Sequence, residues 1–331
     1  MPDTSMFWRN RKVLVTGGAG FIGSHLVQAL LDREATVRVV DSLENGSLEN
    51  LSPSEDAIEH VQADLGNFDN CLAACEGMDA VLGLAAKVAG VAYNSSHPAE
   101  MFRANTKIGL NLLEATRKLD VERTLVVSSA CVYQRNSTVP TPESEGFIDD
   151  PEPSNLGYGW AKRVLELQAR MYAEEYGAKI AIVRPFNTYG PRDHFDPEYG
   201  HVIPSLIKKA TEGQDPIVVW GDGTQTRSFI YVTDVVEGML LALEKYAIAD
   251  PVNIGSEEEV TVDSLARQIL DLAGTRASLQ FDVTRPSGQP RRAPDVTKAR
   301  QKLGFESKIR LHDGLKRTVD WYVSRRPAIT A

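Results

Sequence analysis

Only three cysteines occur among the 331 residues, Cys71, Cys75 and Cys131. Three thiols make no disulfide framework, which points to a reducing compartment, the cytoplasm. Cys71 and Cys75 can share a helix face, but no histidine or cysteine cluster joins them, so no metal site is expected. Long apolar runs are missing too: none approaches the roughly 18 residues of a membrane span. The stretch Met1–Arg11 has no apolar signal core, which argues against secretion. Basic residues are outnumbered, 36 Lys and Arg against 45 Asp and Glu, a net charge of −9. That excess speaks against a nucleic-acid binder, which needs a basic face. No internal repeat or low-complexity tract is present. What remains is an ordinary globular composition, 42% hydrophobic, in a length that suits one large domain or two smaller ones.

The first motif lies near the start. Lys12–Thr16 reads as a short apolar strand, Gly17-Gly18-Ala19-Gly20-Phe21-Ile22-Gly23 as a turn, and Ser24–Asp32 as a helix. Strand, glycine turn and helix together bring backbone amides and a helix N-terminus to a pyrophosphate. Val37–Asp41 follows as a second strand. Its terminal Asp41 stands where a carboxylate meets adenosine ribose hydroxyls, and it would repel a 2′-phosphate, favouring NAD over NADP.

The rhythm then continues. Ile58–Gln62, Ala80–Leu84, Glu122–Ser129 and Lys179–Val183 read as strands, with a helix from Phe68 and a long one at Pro98–Leu119. Asp64 either lies by the adenine ring or caps the helix that follows. Asn105 reads as a buried hydrogen-bonding residue. Strands alternating with helices predict an α/β, doubly wound parallel sheet of Rossmann type. After Arg184-Pro185 the pattern breaks into the Pro-, Gly-, Asp- and aromatic-rich stretch 186–200, a loop over a site. Helices follow at Val202–Thr211, from a Thr233 cap to Lys245, at Val262–Leu272 and at Leu311–Val323, and Val252–Gly255 reads as one more main-sheet strand. The expected division is 1–185 plus 230–255 for a dinucleotide domain, and 186–229 plus 256–331 for a smaller mixed α/β substrate lobe.

Between the fifth and sixth strands lies the chemistry. Val126–Tyr133 contains Ser128-Ser129-Ala130-Cys131, and a helix running to Tyr176 carries Tyr158 and Lys162 four apart, on one face. An ammonium beside a phenol favours phenolate, so Tyr158 is expected to be lowered and to take a proton from a sugar hydroxyl. Ser129 and Cys131, two apart in extended chain, would face the same way. Arg227, Arg285 and Arg292 are candidates for a diphosphate, with a surface position an open alternative for Arg285.

Thr16–Gly23, Asp41, Ser128-Ser129, Tyr158 with Lys162, Arg184–Pro191, Arg227-Ser228-Phe229 and Val232-Thr233-Asp234 together resemble the extended short-chain dehydrogenase/reductase family, in its nucleotide-sugar branch. The resemblance implies a Ser129–Tyr158–Lys162 triad, with Asn187 and Arg227 on the diphosphate. It implies a homodimer through the helices Pro98–Leu119 and Tyr158–Tyr176. Leu84–Gly90, Ser128–Tyr133, His201–Pro204 and Pro290–Arg292 narrow the likeness to the GDP-L-fucose synthases and GDP-mannose 3,5-epimerases. In the former, residues matching Cys131 and His201 invert carbons 3 and 5. The missing Asp-Glu pair after Ser129 disfavours a 4,6-dehydratase. Gln134 departs from the pattern.

NAD is then expected against Gly17, Gly20, Phe21, Ile22, Asp41, Asn45, Gly46, Asp64, Leu65, Leu84, Ala85, Ala86, Tyr158, Lys162 and Pro185. The nucleotide sugar is expected against Lys87, Ser129, Asn187, Val202, Lys209, Arg227, Arg285 and Arg292. The implied activity is an epimerase passing through a 4-keto sugar. The sugar is a GDP-mannose type inverted at carbons 3 and 5 by Cys131 and His201, or a UDP-sugar inverted at carbon 4, or a 4-keto-6-deoxy sugar that is also reduced.

Overall fold

The computed structural model describes residues 5–88, 90–195, 201–285 and 289–325. Ala89 of the 84–90 motif and residues 196–200 of the loop lie outside the described residues. In chain order come β1 (Lys12–Thr16), α1 (Phe21–Leu31), β2 (Thr36–Asp41), β3 (Ile58–Gln62), α2 (Phe68–Cys75) and β4 (Ala80–Gly83). Next are α3 (Val91–Ser96), α4 (Pro98–Lys118), β5 (Arg123–Val127), α5 (Leu156–Tyr176), β6 (Ile180–Pro185), α6 (Val202–Thr211), α7 (Val232–Lys245) and β7 (Pro251–Ile254). These seven strands form one sheet in the order β7-β6-β5-β4-β1-β2-β3, every neighbouring pair parallel. The order reverses at β1, between β2 and β4. Such a switch point opens a crevice at the carboxyl ends of the strands.

The strand period of two assigns the faces. Val13 and Val15 join Leu26, Leu30, Val37, Val39, Leu82 and Met239 on one side of the sheet. Leu14 joins Val40, Cys71, Cys75, Val81 and Leu112 on the other, and Leu113, Val126, Leu165, Ile180 and Ile182 extend that layer. Each fully buried side chain of this kind is worth roughly 1.5–3 kcal/mol. Burial in this layer pushes both the Cys71 and Cys75 thiols up to about 12, so they are inert packing.

A separate apolar cluster gathers Tyr189, Ile203, Leu206, Ile207, Ile217, Leu265, Ile269 and Leu315 around α6, α8 (Val262–Ala273) and α9 (Leu311–Ser324). Short strands bind it together. Ile217–Trp220 pairs in parallel with Leu279–Asp282. Thr226–Ser228 lies between Glu259–Thr261 and Arg291–Arg292. No helix among the described residues is long and apolar enough to cross a membrane.

Several boundaries differ from those expected. α1 begins at Phe21, three residues before Ser24. α5 begins at Leu156, because a 3-10 turn at Pro153–Asn155 leads into it, so Tyr158 sits in its first turn. β5 ends at Val127, and Ala130–Val132 is a 3-10 turn. α7 starts at Val232 after Tyr231, so Thr233 is inside the helix and caps nothing. Asn67 caps α2 through Asp69 N–H, while Asp64 accepts from Gly66 N at 2.7 Å.

Candidate functional site

One cleft of about 1950 Å³ runs across the carboxyl ends of the strands and under α6. Its first half is built by backbone. Gly17 has φ +68, and a Cβ there would lie 2.9 Å from Ala85 N, so the turn after β1 touches the chain after β4. A Cβ on Gly23 would strike Gly17 O, which lets α1 press onto the same turn. α1 starts without a side-chain cap, so its first-turn amides keep their capacity for an anion.

Asp41 ends β2 at the edge of this half. Its carboxylate accepts from Ala19 N at 3.0 Å and from Leu43 N at 2.9 Å. A Cβ on Gly46 would come within 2.8 Å of it. Each oxygen retains acceptor capacity for a ribose hydroxyl. Arg38 points elsewhere, bonded to Glu59 at 2.9 Å and to the carbonyls of Ala74 and Glu76 at 3.0 Å, so it does not offset Asp41 toward a 2′-phosphate. Phe21, Ile22, Asn45, Asp64, Leu65, Leu84, Ala86 and Pro185 line the same half. This cradle fits NAD.

At the centre, Lys162 Nζ donates to Val127 O at 2.8 Å and lies 5.4 Å from the centre of the Tyr158 ring. Burial lowers Lys162 to about 8, with Cys131 and Glu166 opposing that fall. The phenol is not lowered as the sequence suggests: burial pushes Tyr158 up, and Cys131 adds to the push. The cost of burying a phenolate outweighs its lysine neighbour, which is engaged with a carbonyl. Nor does the chain stay extended from Ser129 to Cys131. Ser129 caps the 3-10 turn, its Oγ accepting from Cys131 N at 3.1 Å, and this turn carries the thiol to the cleft.

Beneath lies a network that the sequence did not reveal. Glu166, one turn beyond Lys162, accepts from Arg184 Nε at 2.8 Å and Nη2 at 2.6 Å, and also from Ser128 Oγ. Arg184 Nη1 donates to Tyr133 Oη at 2.9 Å, and Tyr133 donates to Asn253 Oδ1. The pair is fully buried, at 1% and 0% exposure, so loss of one partner would cost about 3–5 kcal/mol. The available signal was a carboxylate on the buried face of α5 and an arginine ending an apolar strand.

The other half of the cleft holds the cations. Burial and the neighbouring Arg292 lower Arg227 to about 10, and its Nη1 donates to Thr226 O at 2.7 Å. Arg292 Nη2 reaches 4.0 Å from Cys131 Sγ. Asn187 donates to Ser228 O at 2.7 Å, and Lys209 to Val218 O at 3.1 Å. His201 Nδ1 stands 3.6 Å from Asp193 Oδ1. The surrounding protein disfavours the charged ring, yet Asp193 outweighs it and raises His201. Val202 lines the cleft beside it.

Lys87 lines the cleft, its ammonium ion-paired with Glu44 at 2.8 Å and Glu100 at 3.1 Å, carboxylates of the loop after β2 and of α4. Arg285 does not line the cleft; its side chain is 60% exposed, 3.7 Å from Asp282 and stacked on Trp220. Gln134 gives its carbonyl to Gln289 Nε2 at 2.9 Å. Among the described residues no cluster is placed to hold a metal ion.

The family model described as "NAD dependent epimerase/dehydratase family" matches residues 13–255. The chain is 34% identical to dTDP-4-dehydro-6-deoxy-D-allose reductase of Streptomyces bikiniensis, covering 95% of this chain and 97% of that protein. It is 32% identical to GDP-L-fucose synthase 1 of Arabidopsis thaliana, over 97% and 95%, and 32% identical to GDP-mannose 3,5-epimerase 1 of Oryza sativa subsp. japonica, over 96% and 84%. The structure of UDP-glucose 4-epimerase of Thermotoga maritima, solved with UDP-glucose, superposes with a TM-score of 0.87 at 33% identity, over 95% and 99%. With this sheet order, this cradle and these relatives, the chain belongs to the NAD-dependent epimerase/dehydratase family, the extended short-chain dehydrogenase/reductases, and is an enzyme that uses NAD.

Proposed function

We propose that this enzyme is a nucleotide-sugar epimerase working through a transient 4-keto sugar, and that its substrate is a GDP-sugar of the mannose type inverted at carbons 3 and 5. NAD, held by Gly17, Gly20, Asp41 and the chain after β4, supplies the reversible hydride acceptor. Tyr158 takes the proton of the sugar's 4-hydroxyl as phenolate, for which the positive charges of Lys162 and of bound NAD must together offset the burial that raises the phenol, and Ser129 orients that hydroxyl. A ketone at carbon 4 acidifies the hydrogens on carbons 3 and 5. Cys131 and His201 then remove and return those protons, while Arg227, Arg292 and Asn187 hold the diphosphate.

The observation that carries this reading is the placement of Arg292 against Cys131 in the cleft that also holds Tyr158, Lys162 and His201. A plain 4-epimerase needs no thiol there. Two other readings have support of their own: carbon-4 epimerisation of a UDP-sugar from the Thermotoga structure, and net reduction of a 4-keto-6-deoxy sugar from the reductase and synthase relatives. Incubation with GDP-, UDP-, dTDP- and CDP-sugars, with products read by NMR, separates the three. A 3,5-inverted GDP-sugar supports the proposal, and a product inverted only at carbon 4, or a reduced one, contradicts it.

We further infer a cytoplasmic homodimer. α4 and α5 leave Phe102, Leu167, Met171 and Tyr176 between 40% and 52% exposed, apolar surface that a second copy would cover.

A further inference from the structure

The 3-10 turn before α5 sets Glu152 in the wall of the cleft. Its backbone is fixed: Glu152 N donates to Tyr133 O at 3.2 Å, and its carbonyl accepts from Asn155 N at 2.8 Å. The neighbouring Pro151 packs on Gly159 next to the Cys131 carbonyl, so the segment lies beside Cys131 at the first turn of α5. The side chain is only 7% exposed. Oε2 has no hydrogen-bond donor, and Oε1 has only long contacts, Ser154 Oγ at 3.5 Å and Arg135 at 3.6 Å. Glu166, the other buried carboxylate nearby, has both oxygens bonded.

A buried carboxylate oxygen without a donor is costly unless something supplies one. Rotation about the terminal torsion is soft and brings either oxygen to the cleft. Arg227 does not supply the donor: it senses the Glu152 charge without an ion pair between them. On the same wall, Asn94 of α3 donates to Asn155 Oδ1 at 2.8 Å, and its own Oδ1 is likewise buried without a donor. Two acceptors therefore wait beside the reacting centre, apart from the diphosphate cations.

We propose that Glu152 accepts a hydrogen bond from a hydroxyl of the substrate's sugar ring, with Asn94 as a second acceptor, so that this wall selects a hydroxylated hexose. This rests on the nucleotide-sugar reading and adds to it the group that recognises the sugar rather than the nucleotide.

The test compares binding of GDP-mannose with GDP, and of UDP-glucose with UDP, by calorimetry on the NAD-loaded full chain, for wild type, Glu152→Gln and Glu152→Ala. In at least one pair the sugar nucleotide binds wild type more tightly than the bare nucleotide, and the variants lose about ten-fold or more of that difference. Affinity for the bare nucleotide holds or rises, because a negative charge near Arg227 has gone. Gln keeps the volume, so it carries the test if Ala fails to fold. An unchanged difference in the folded variants overturns the proposal and leaves the nucleotide-sugar reading standing. Equal loss for nucleotide and sugar nucleotide overturns it as well, assigning Glu152 to the diphosphate side. Wild type that binds neither sugar nucleotide overturns the reading beneath it.

Discussion

Arg292 carries its guanidinium to 4.0 Å from the Cys131 sulfur. The two residues are 161 apart in sequence and meet because Arg291–Arg292 pairs in parallel with Thr226–Ser228. A thiol that exchanges protons with carbon needs a cation close by, and this strand pairing supplies it at the mouth of the Ser129 turn.

The cofactor preference follows from Asp41. Its carboxylate is fixed by two backbone amides, and Arg38 is engaged on the far side of its strand. NAD should bind at least about ten-fold more tightly than NADP, since a 2′-phosphate would face a carboxylate. Fluorescence titration of both dinucleotides measures this, and equal affinities would remove the argument.

Tyr158→Phe removes a hydroxyl and almost no volume. Its melting temperature should stay near wild type, while turnover falls about 100-fold or more. Near-normal turnover would mean that another group takes the proton.

Lys162 gives a stability signature. Folded, it is lowered to about 8 by burial, below the roughly 10.4 of an unfolded lysine. Between those values the unfolded chain binds more protons, so stability rises with pH across that window. The full span corresponds to about 3 kcal/mol. Denaturant unfolding of wild type and Lys162→Met between pH 7 and about 10 should show this rise in wild type only, and parallel curves would contradict the assignment.

Asp193 raises His201, and the pair's stabilisation is present below the ordinary histidine value and lost as pH rises through the raised one. If His201 serves as the acid, activity falls through that same raised value. Asp193→Asn should move this limb to lower pH by up to about one unit, read from kcat/KM against pH. An unmoved limb would exclude His201 from the role.

The sheet was legible because its strands carry runs such as Val13–Val15 and Leu125–Val127 between helices of matching rhythm. The cradle was legible because Gly17, Gly23 and Asp41 act through local backbone geometry. Other parts were hidden for physical reasons. The start of α5 at Leu156 follows a Pro153 turn with no side-chain cap, so nothing marked it before Tyr158. Local spacing gave Tyr158 and Lys162 one face, but it did not show the burial that raises one and lowers the other. The Glu166–Arg184 pair and the open oxygen of Glu152 arise from contacts across the fold. Arg285 differs from Arg227 and Arg292 by lying beyond a short edge strand, which composition alone does not distinguish.

Proton exchange at carbons 3 and 5 separates the proposed chemistry from epimerisation at carbon 4. GDP-mannose incubated with the NAD-loaded enzyme in heavy water, and read by proton NMR, should gain deuterium at carbon 3, carbon 5 or both. Cys131→Ala should suppress that gain by about 100-fold while the protein still folds and binds the sugar nucleotide. Inversion at carbon 4 with no solvent deuterium in the ring, or full deuterium uptake without the thiol, would contradict the account.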